Sequence, residues 1–127
     1  MGGYDHLVET SPLRLVFSQA SLDEMDEDVL ESIADTFFSI RTTDLIGFQR
    51  QQVAIRDFNV AGRLGEIACP VLVTHGLYDC LIPSENGITI AKSVQDGTFV
   101  LLPNSSHAMI EDMDLNQSSA VGFVDGE

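Results

Sequence analysis

The sequence predicts an α/β chain in which helices come first and a parallel strand–helix–strand unit comes second. Three observations carry this. Apolar residues recur at helical spacing across residues 21–40. Two short apolar runs, "PVLVTH" at 70–75 and "TFVLL" at 98–102, suit strands, the first of them buried on both faces. The stretch between these runs has room for one helix, and such a connection within one sheet joins parallel strands with a right-handed crossover.

Residues 21–40, "SLDEMDEDVLESIADTFFSI", predict one long helix. Ser21 is placed to cap its first turn, with Glu24 three residues on as in a capping box. Acidic residues crowd that turn, where the helix dipole favours them. Leu22, Met25, Val29, Ile33 and Phe37 form an apolar stripe that Leu30 and Phe38 widen. The opposite face carries Asp23, Glu27, Glu31 and Asp35. A second helix is expected over 44–58, "DLIGFQRQQVAIRDF", with Thr43 as its cap and Gly47 weakening it. "NVAGRLGEI" then reads as a turn-rich connection. Beyond the first strand, Ser84 is placed to cap a helix running to about Val94, with Gly97 as its stop. "PNSSHA" is a loop after the second strand, and a last helix runs from near Asp112 to near Val124.

A chain of 127 residues fits one domain, and 44% apolar residues allow a core. Twenty Asp and Glu face six Lys and Arg, for a net charge of −14. Such a surface repels phosphate backbones and anionic bilayers, which argues against nucleic-acid and membrane partners. "MGGYDHLVET" has no apolar signal-peptide core and no run reaches the length of a membrane span, so a cytoplasmic location is expected. Cys69 and Cys80 form no disulfide framework or metal-ligand spacing, and there is no Gly-rich phosphate loop. No cofactor or metal is expected.

In parallel sheets, functional groups sit in the loops beyond the carboxyl ends of the strands. Asp79 comes after the first strand and His107 after the second, which brings the two loops side by side. A carboxylate beside an imidazole holds the ring in one tautomer and stabilises its charged form. Other candidates are weaker. A Cys80–His107 pair is chemically adequate for nucleophilic catalysis, yet adjacent loop side chains seldom face one another. Ser105 and Ser106 read as loop hydrogen-bonders, and Glu111 and Asp112 as caps of the last helix. His75 ends a strand and reads as structural, while His6 carries no signal. Met25, Phe37, Phe38 and Phe48 read as core and lid surface.

Residues 64–112, "LGEIACPVLVTHGLYDCLIPSENGITIAKSVQDGTFVLLPNSSHAMIED", resemble the C-terminal portion of an α/β-hydrolase. The resemblance lies in a strand ending in His-Gly, Asp79 three residues after that Gly, Pro83, the helix, the second strand, Pro103, and His107 with an acidic pair just beyond it. "PSENG" and "LGEI" are similar to the enol-lactone hydrolase branch, and "SSHAMIED" to the proline iminopeptidase branch. The resemblance implies a triad acid at Asp79, a triad base at His107, and a small acyl-type substrate (ester, lactone or amide). It also implies three parts: an N-terminal segment at 1–20, a helical lid-like segment at 21–63, and a βαβα part of the core at 64–127.

The family's nucleophile motif, G-x-S-x-G, does not occur in these 127 residues. The opening "MGG" matches the three residues just after the nucleophile in many relatives, and the similarity stops there. The expectation is a shortened relative, either a hydrolase part or a catalytically inactive remnant that serves as an interaction module. Two parallel strands alone leave open edges, so a homo-oligomer or a partner chain covering the sheet edge is expected.

The acidic surface is either ordinary solvation or an adaptation to high salt. On the second reading, molar salt screens the self-repulsion and the melting temperature rises from low to molar salt. A melting temperature that does not move would exclude it.

Overall fold

The computed structural model describes residues 13–39 and 45–126. The Thr43 cap, His6 and the opening "MGG" lie outside the described residues, as do the side chains of Phe37 and Phe38. In chain order the elements are α1 (Leu13–Val16), α2 (Gln19–Glu24), α3 (Glu27–Ser39), α4 (Leu45–Asp57), a 3-10 helix (Ala61–Glu66), β1 (Val71–Gly76), α5 (Ser84–Ser93), β2 (Gly97–Leu102) and α6 (Met113–Asp125).

The single helix predicted over 21–40 is two helices. Ser18, not Ser21, is the N-cap: it is extended, and its Oγ accepts the Ser21 N–H at 3.3 Å. The chain becomes extended at Met25 and restarts at Asp26, whose carbonyl accepts the Val29 and Leu30 N–H groups. The break resets the phase of the apolar stripe. Leu30 and Ala34 are buried, whereas Val29 is exposed. With Leu22 they meet Leu13 and Phe17 from the α1 turn, so one small core joins all three helices, with Met25 and Ile33 packed at its edge. α4 stands apart from this core. Its Ile46, Val53 and Ile55 are exposed, and so is Phe48, which the sequence places in the core or lid.

The parallel β-α-β arrangement is borne out. β1 and β2 pair in parallel from Val71↔Gly97 to Gly76↔Leu102. Side chains alternate across the two faces. α5 presses closely on one face, where a Cβ at Gly87 would stand 3.0 Å from both the His75 ring and Phe99. α6 covers the other face loosely. An open cleft of about 410 Å³ lies between Leu72, Thr98 and Val100 on the sheet and Ser118, Gly122 and Phe123 on the helix. Val71–His75 are consequently half-buried, not buried on both faces as their composition suggests.

Two end signals also differ. α5 begins at Ser84 behind Pro83 with no side-chain cap, and it stops at Val94. Gly97 is the first residue of β2, where a Cβ would collide with the Ala91 carbonyl oxygen. That glycine serves the tight return from helix to strand rather than the helix end. No helix among the described residues is long and apolar enough to cross a membrane.

The position that most constrains the site is Gly76. A Cβ there would collide with the backbone oxygens of Ser105 and Ser106. Past the strands, the two loops stay zipped together. Leu77 N–H donates to the Leu102 carbonyl at 2.9 Å and Tyr78 N–H to the Ser105 carbonyl at 2.9 Å. Ser106 Oγ–H donates to the Tyr78 carbonyl at 3.2 Å. Gly76→Ala should therefore cost about 3 kcal/mol or more, because backbone and not a flexible side chain must give way. Gly62→Ala, with nothing within 4 Å of its Cβ, should stay within about 0.5 kcal/mol of the parent. Urea unfolding of both variants checks this, and equal costs would contradict it.

Candidate active site

Asp79 sits in the turn that leaves β1. Its Oδ1 accepts the Leu81 and Ile82 N–H groups, each at 2.9 Å. This local loop is one that aspartate forms readily, and it fixes the carboxylate in place. Oδ2 faces two imidazoles. His107 Nδ1 lies 2.9 Å away and His75 Nε2 3.3 Å away. His75 Nε2 is also 2.8 Å from the Ile82 carbonyl.

These partners fix the tautomers. A carbonyl and a carboxylate only accept, so His75 carries its hydrogen on Nε2 and His107 on Nδ1. The neutral His107 ring then has a lone pair on Nε2. The Asp79 side chain is 5% exposed and that of His107 40%, so the acid is covered and the ring reaches solvent. A ring held by a carboxylate at one nitrogen and partly exposed to solvent has an arrangement that proton transfer can use.

Burial pushes the Asp79 carboxyl upward. The hydrogen bonds from the Ile82 N–H, from His107 and from the Leu81 N–H outweigh that, and the net result lies below the ordinary carboxyl value. Asp79 is accordingly a stable anion beside His107.

The loop that carries His107 is clamped by Asp112. Its Oδ2 accepts the Asn104 N–H at 2.8 Å and the Ser105 hydroxyl at 2.9 Å, and its Oδ1 accepts the Asn104 amide at 2.8 Å. Ser105 Oγ in turn accepts the Asp112 N–H at 3.1 Å. Asp112 does precede α6, but its side chain makes no cap bond there. The predicted capping role gives way because the loop offers more donors. Glu111 is no cap either. Its Oε1 accepts the Ser18 N–H at 2.8 Å, tying the histidine loop to the helical core.

The structure thus brings Asp79 and His107 together and sends the weaker candidates elsewhere. Ser105 and Ser106 are fully buried and bond within the loops, as the sequence suggests. Cys80 is exposed, and its thiol donates to the Arg14 carbonyl at 3.4 Å. No group of three or more His, Cys, Asp or Glu among the described residues is arranged to hold a metal ion. Sequence reasoning misses the contact of His75 with Asp79 and the clamp by Asp112. The first has a signal in the four-residue spacing from strand end to turn. The second closes over eight residues of irregular chain and has none.

Burial also pushes Asp112 up, but the bonds from Asn104 and Ser105 leave it below its ordinary value. Both carboxyls have folded-state values below the unfolded ones. The folded chain therefore binds fewer protons than the unfolded chain as acid is added. Their stabilisation is complete above the unfolded value of about 4 and is lost as pH falls through the folded values. Asp112→Asn should flatten the acid limb of stability, read as urea midpoint against pH from about 6 to 2. A limb as steep as the parent's would count against the clamp.

No family model matches the chain. The chain is 30% identical over 125 residues to a protein of Agrobacterium fabrum named "Putative carbamate hydrolase RutD". The alignment takes in 96% of this chain and 46% of that protein, so the chain spans about half the length of the curated relative it matches. Together, this similarity and the parallel β-α-β arrangement support a relationship to the α/β-hydrolases.

Proposed function

We propose that the chain carries the acid and base of a hydrolase acting on an acyl bond: an ester, lactone or amide, with a carbamate as a further member of that class. The observation that carries this is the 2.9 Å contact between His107 Nδ1 and Asp79 Oδ2, on a ring whose side chain is 40% exposed. In the proposed reaction His107 Nε2 takes the proton of an attacking hydroxyl as that oxygen bonds to the acyl carbon. Asp79 stabilises the imidazolium that forms. His107 then returns the proton to the leaving oxygen or nitrogen as its bond to the acyl carbon breaks. With no G-x-S-x-G in the 127 residues, the hydroxyl is assigned to another chain, another segment or water.

The same missing motif favours a second reading. Triad members act as a unit, so an acid and a base without the nucleophile motif retain little rate enhancement. The chain would then be an inactive interaction module on a hydrolase scaffold. Hydrolysis of a p-nitrophenyl ester separates the two readings. Under the first, His107→Ala lowers the rate by about 100-fold or more. Equal rates would leave the second.

Both readings share a proposed partner. A two-stranded parallel sheet has open backbone edges, and α4 exposes Ile46, Val53 and Ile55. A second copy or a partner chain pairing with the sheet edge would cover them. The net charge of −14 opposes self-association at low salt. Sedimentation velocity should show assembly that increases with salt. A monomer at every salt concentration would rule out the homo-oligomer.

A further inference from the structure

The loop that carries His107 holds the one residue other than glycine, among the described residues, with a positive φ. Met109 has φ +54°, in the left-handed region. There the Cβ crowds the backbone, and only glycine, asparagine and aspartate go there readily. A side chain such as that of Met keeps this shape where its surroundings over-determine it, and such strain gathers at functional sites.

The surroundings of Met109 do over-determine it. Residues 106–109 form one tight turn, closed by the Met109 N–H on the Ser106 carbonyl at 3.2 Å. His107 is the first corner of that turn. Ahead of the corner, the Ser106 hydroxyl donates to the Tyr78 carbonyl at 3.2 Å and so holds the turn to the acid loop. Past the corner, the chain runs to the helical layer. Ala108 N–H donates to the Val16 carbonyl at 3.0 Å, and Glu111 accepts the Ser18 N–H at 2.8 Å. Asp112 then returns to Asn104 and Ser105 at the start of the loop. Between these ties, the Thr74 hydroxyl of β1 stands 3.9 Å from the Met109 sulfur.

We infer that Met109 is a positioning residue for His107 and acts through its backbone. The left-handed residue at 109 lets the His107 corner stay against Asp79 while the residues after it reach the helical layer and Asp112 closes the loop. The inference deepens the proposed function and rests on reading Asp79 and His107 as the proton-handling pair. The side chain contributes less, because a thioether is a weak acceptor. Backbone and side chain are separable by substitution. Glycine adopts positive φ at no steric cost. Valine is smaller than Met, so it does not overpack the site, but its branched Cβ resists positive φ. Both variants lose the sulfur, so a difference between them reports the backbone alone.

The test is imidazole 15N NMR on the full chain, whose three histidines are assigned by single substitution. Neutral His107 should carry its hydrogen on Nδ1, as its 2.9 Å contact with Asp79 requires. An imidazole released to water favours Nε2–H. Met109→Gly should keep the Nδ1–H form, and Met109→Val should move His107 largely to Nε2–H. Under the proposed function, the His107-dependent ester rate of Met109→Val should lie about tenfold or more below that of Met109→Gly. The same tautomer in both variants would overturn the inference, as would loss of the Nδ1–H form in Met109→Gly. Should Met109→Val fail to fold, Met109→Gly against Met109→Ala decides. At an ordinary φ alanine is the more stable of the two, whereas here glycine should unfold at the higher urea concentration. An alanine midpoint equal to or above that of glycine would overturn the inference. Failure of the function is separable. An ester rate unaffected by His107→Ala removes the hydrolase reading and leaves the tautomers to judge Met109. A His107-dependent rate with the same tautomer in Met109→Gly and Met109→Val keeps the pair and removes Met109.

Discussion

Two loops touch at Gly76, and the arrangement of the pair depends on that contact. The parallel register of β1 and β2 delivers both chains to the same end of the sheet. The missing side chain at Gly76 then lets the returning loop lie directly on the outgoing turn. Backbone bonds from Leu77 and Tyr78 continue the pairing beyond the strands, so the acid turn and the histidine loop form a single unit. A side chain at that point would separate the loops by the width of a methyl group, and a hydrogen bond tolerates little added length.

Within that unit the chemistry reduces to keeping one covered carboxylate charged. Withdrawal from water opposes the charge, and donors restore it. Asp79 receives two backbone N–H groups on one oxygen and the His107 ring on the other, with His75 alongside. The backbone donors come from the turn itself, so the anion is built by local geometry. Only the imidazoles come from elsewhere, so the ring orientation is a tertiary property, and the charge rests on the turn and on His107 together.

This division explains what can be read from the residues alone. The strand–helix–strand order and the meeting of Asp79 with His107 come from topology, because parallel strands send their trailing loops to one place. The helical half is less legible. Periodicity over 21–40 suggests one stripe, but the break at Met25 depends on Ser18 capping α2 and on a core shared with Leu13 and Phe17. Leu13 opens a helix of one turn and Phe17 lies just past its end, a stretch too short to show a period. Gly97 reads as a helix stop because glycine commonly is one. Its reason is contact with Ala91, a packing fact invisible in the sequence. β1 looks fully covered by composition, yet coverage depends on what packs against it, and α6 packs loosely.

The helical layer is fastened at two points to the loop that follows His107. Ala108 N–H, next to His107, donates to the Val16 carbonyl at 3.0 Å. Glu111, three residues further on, takes the Ser18 N–H at 2.8 Å. The stem from α1 to α2 is thus tied to the loop just after the imidazole at two points. A substitution that shifts that stem would reach the imidazole through the backbone of its own loop.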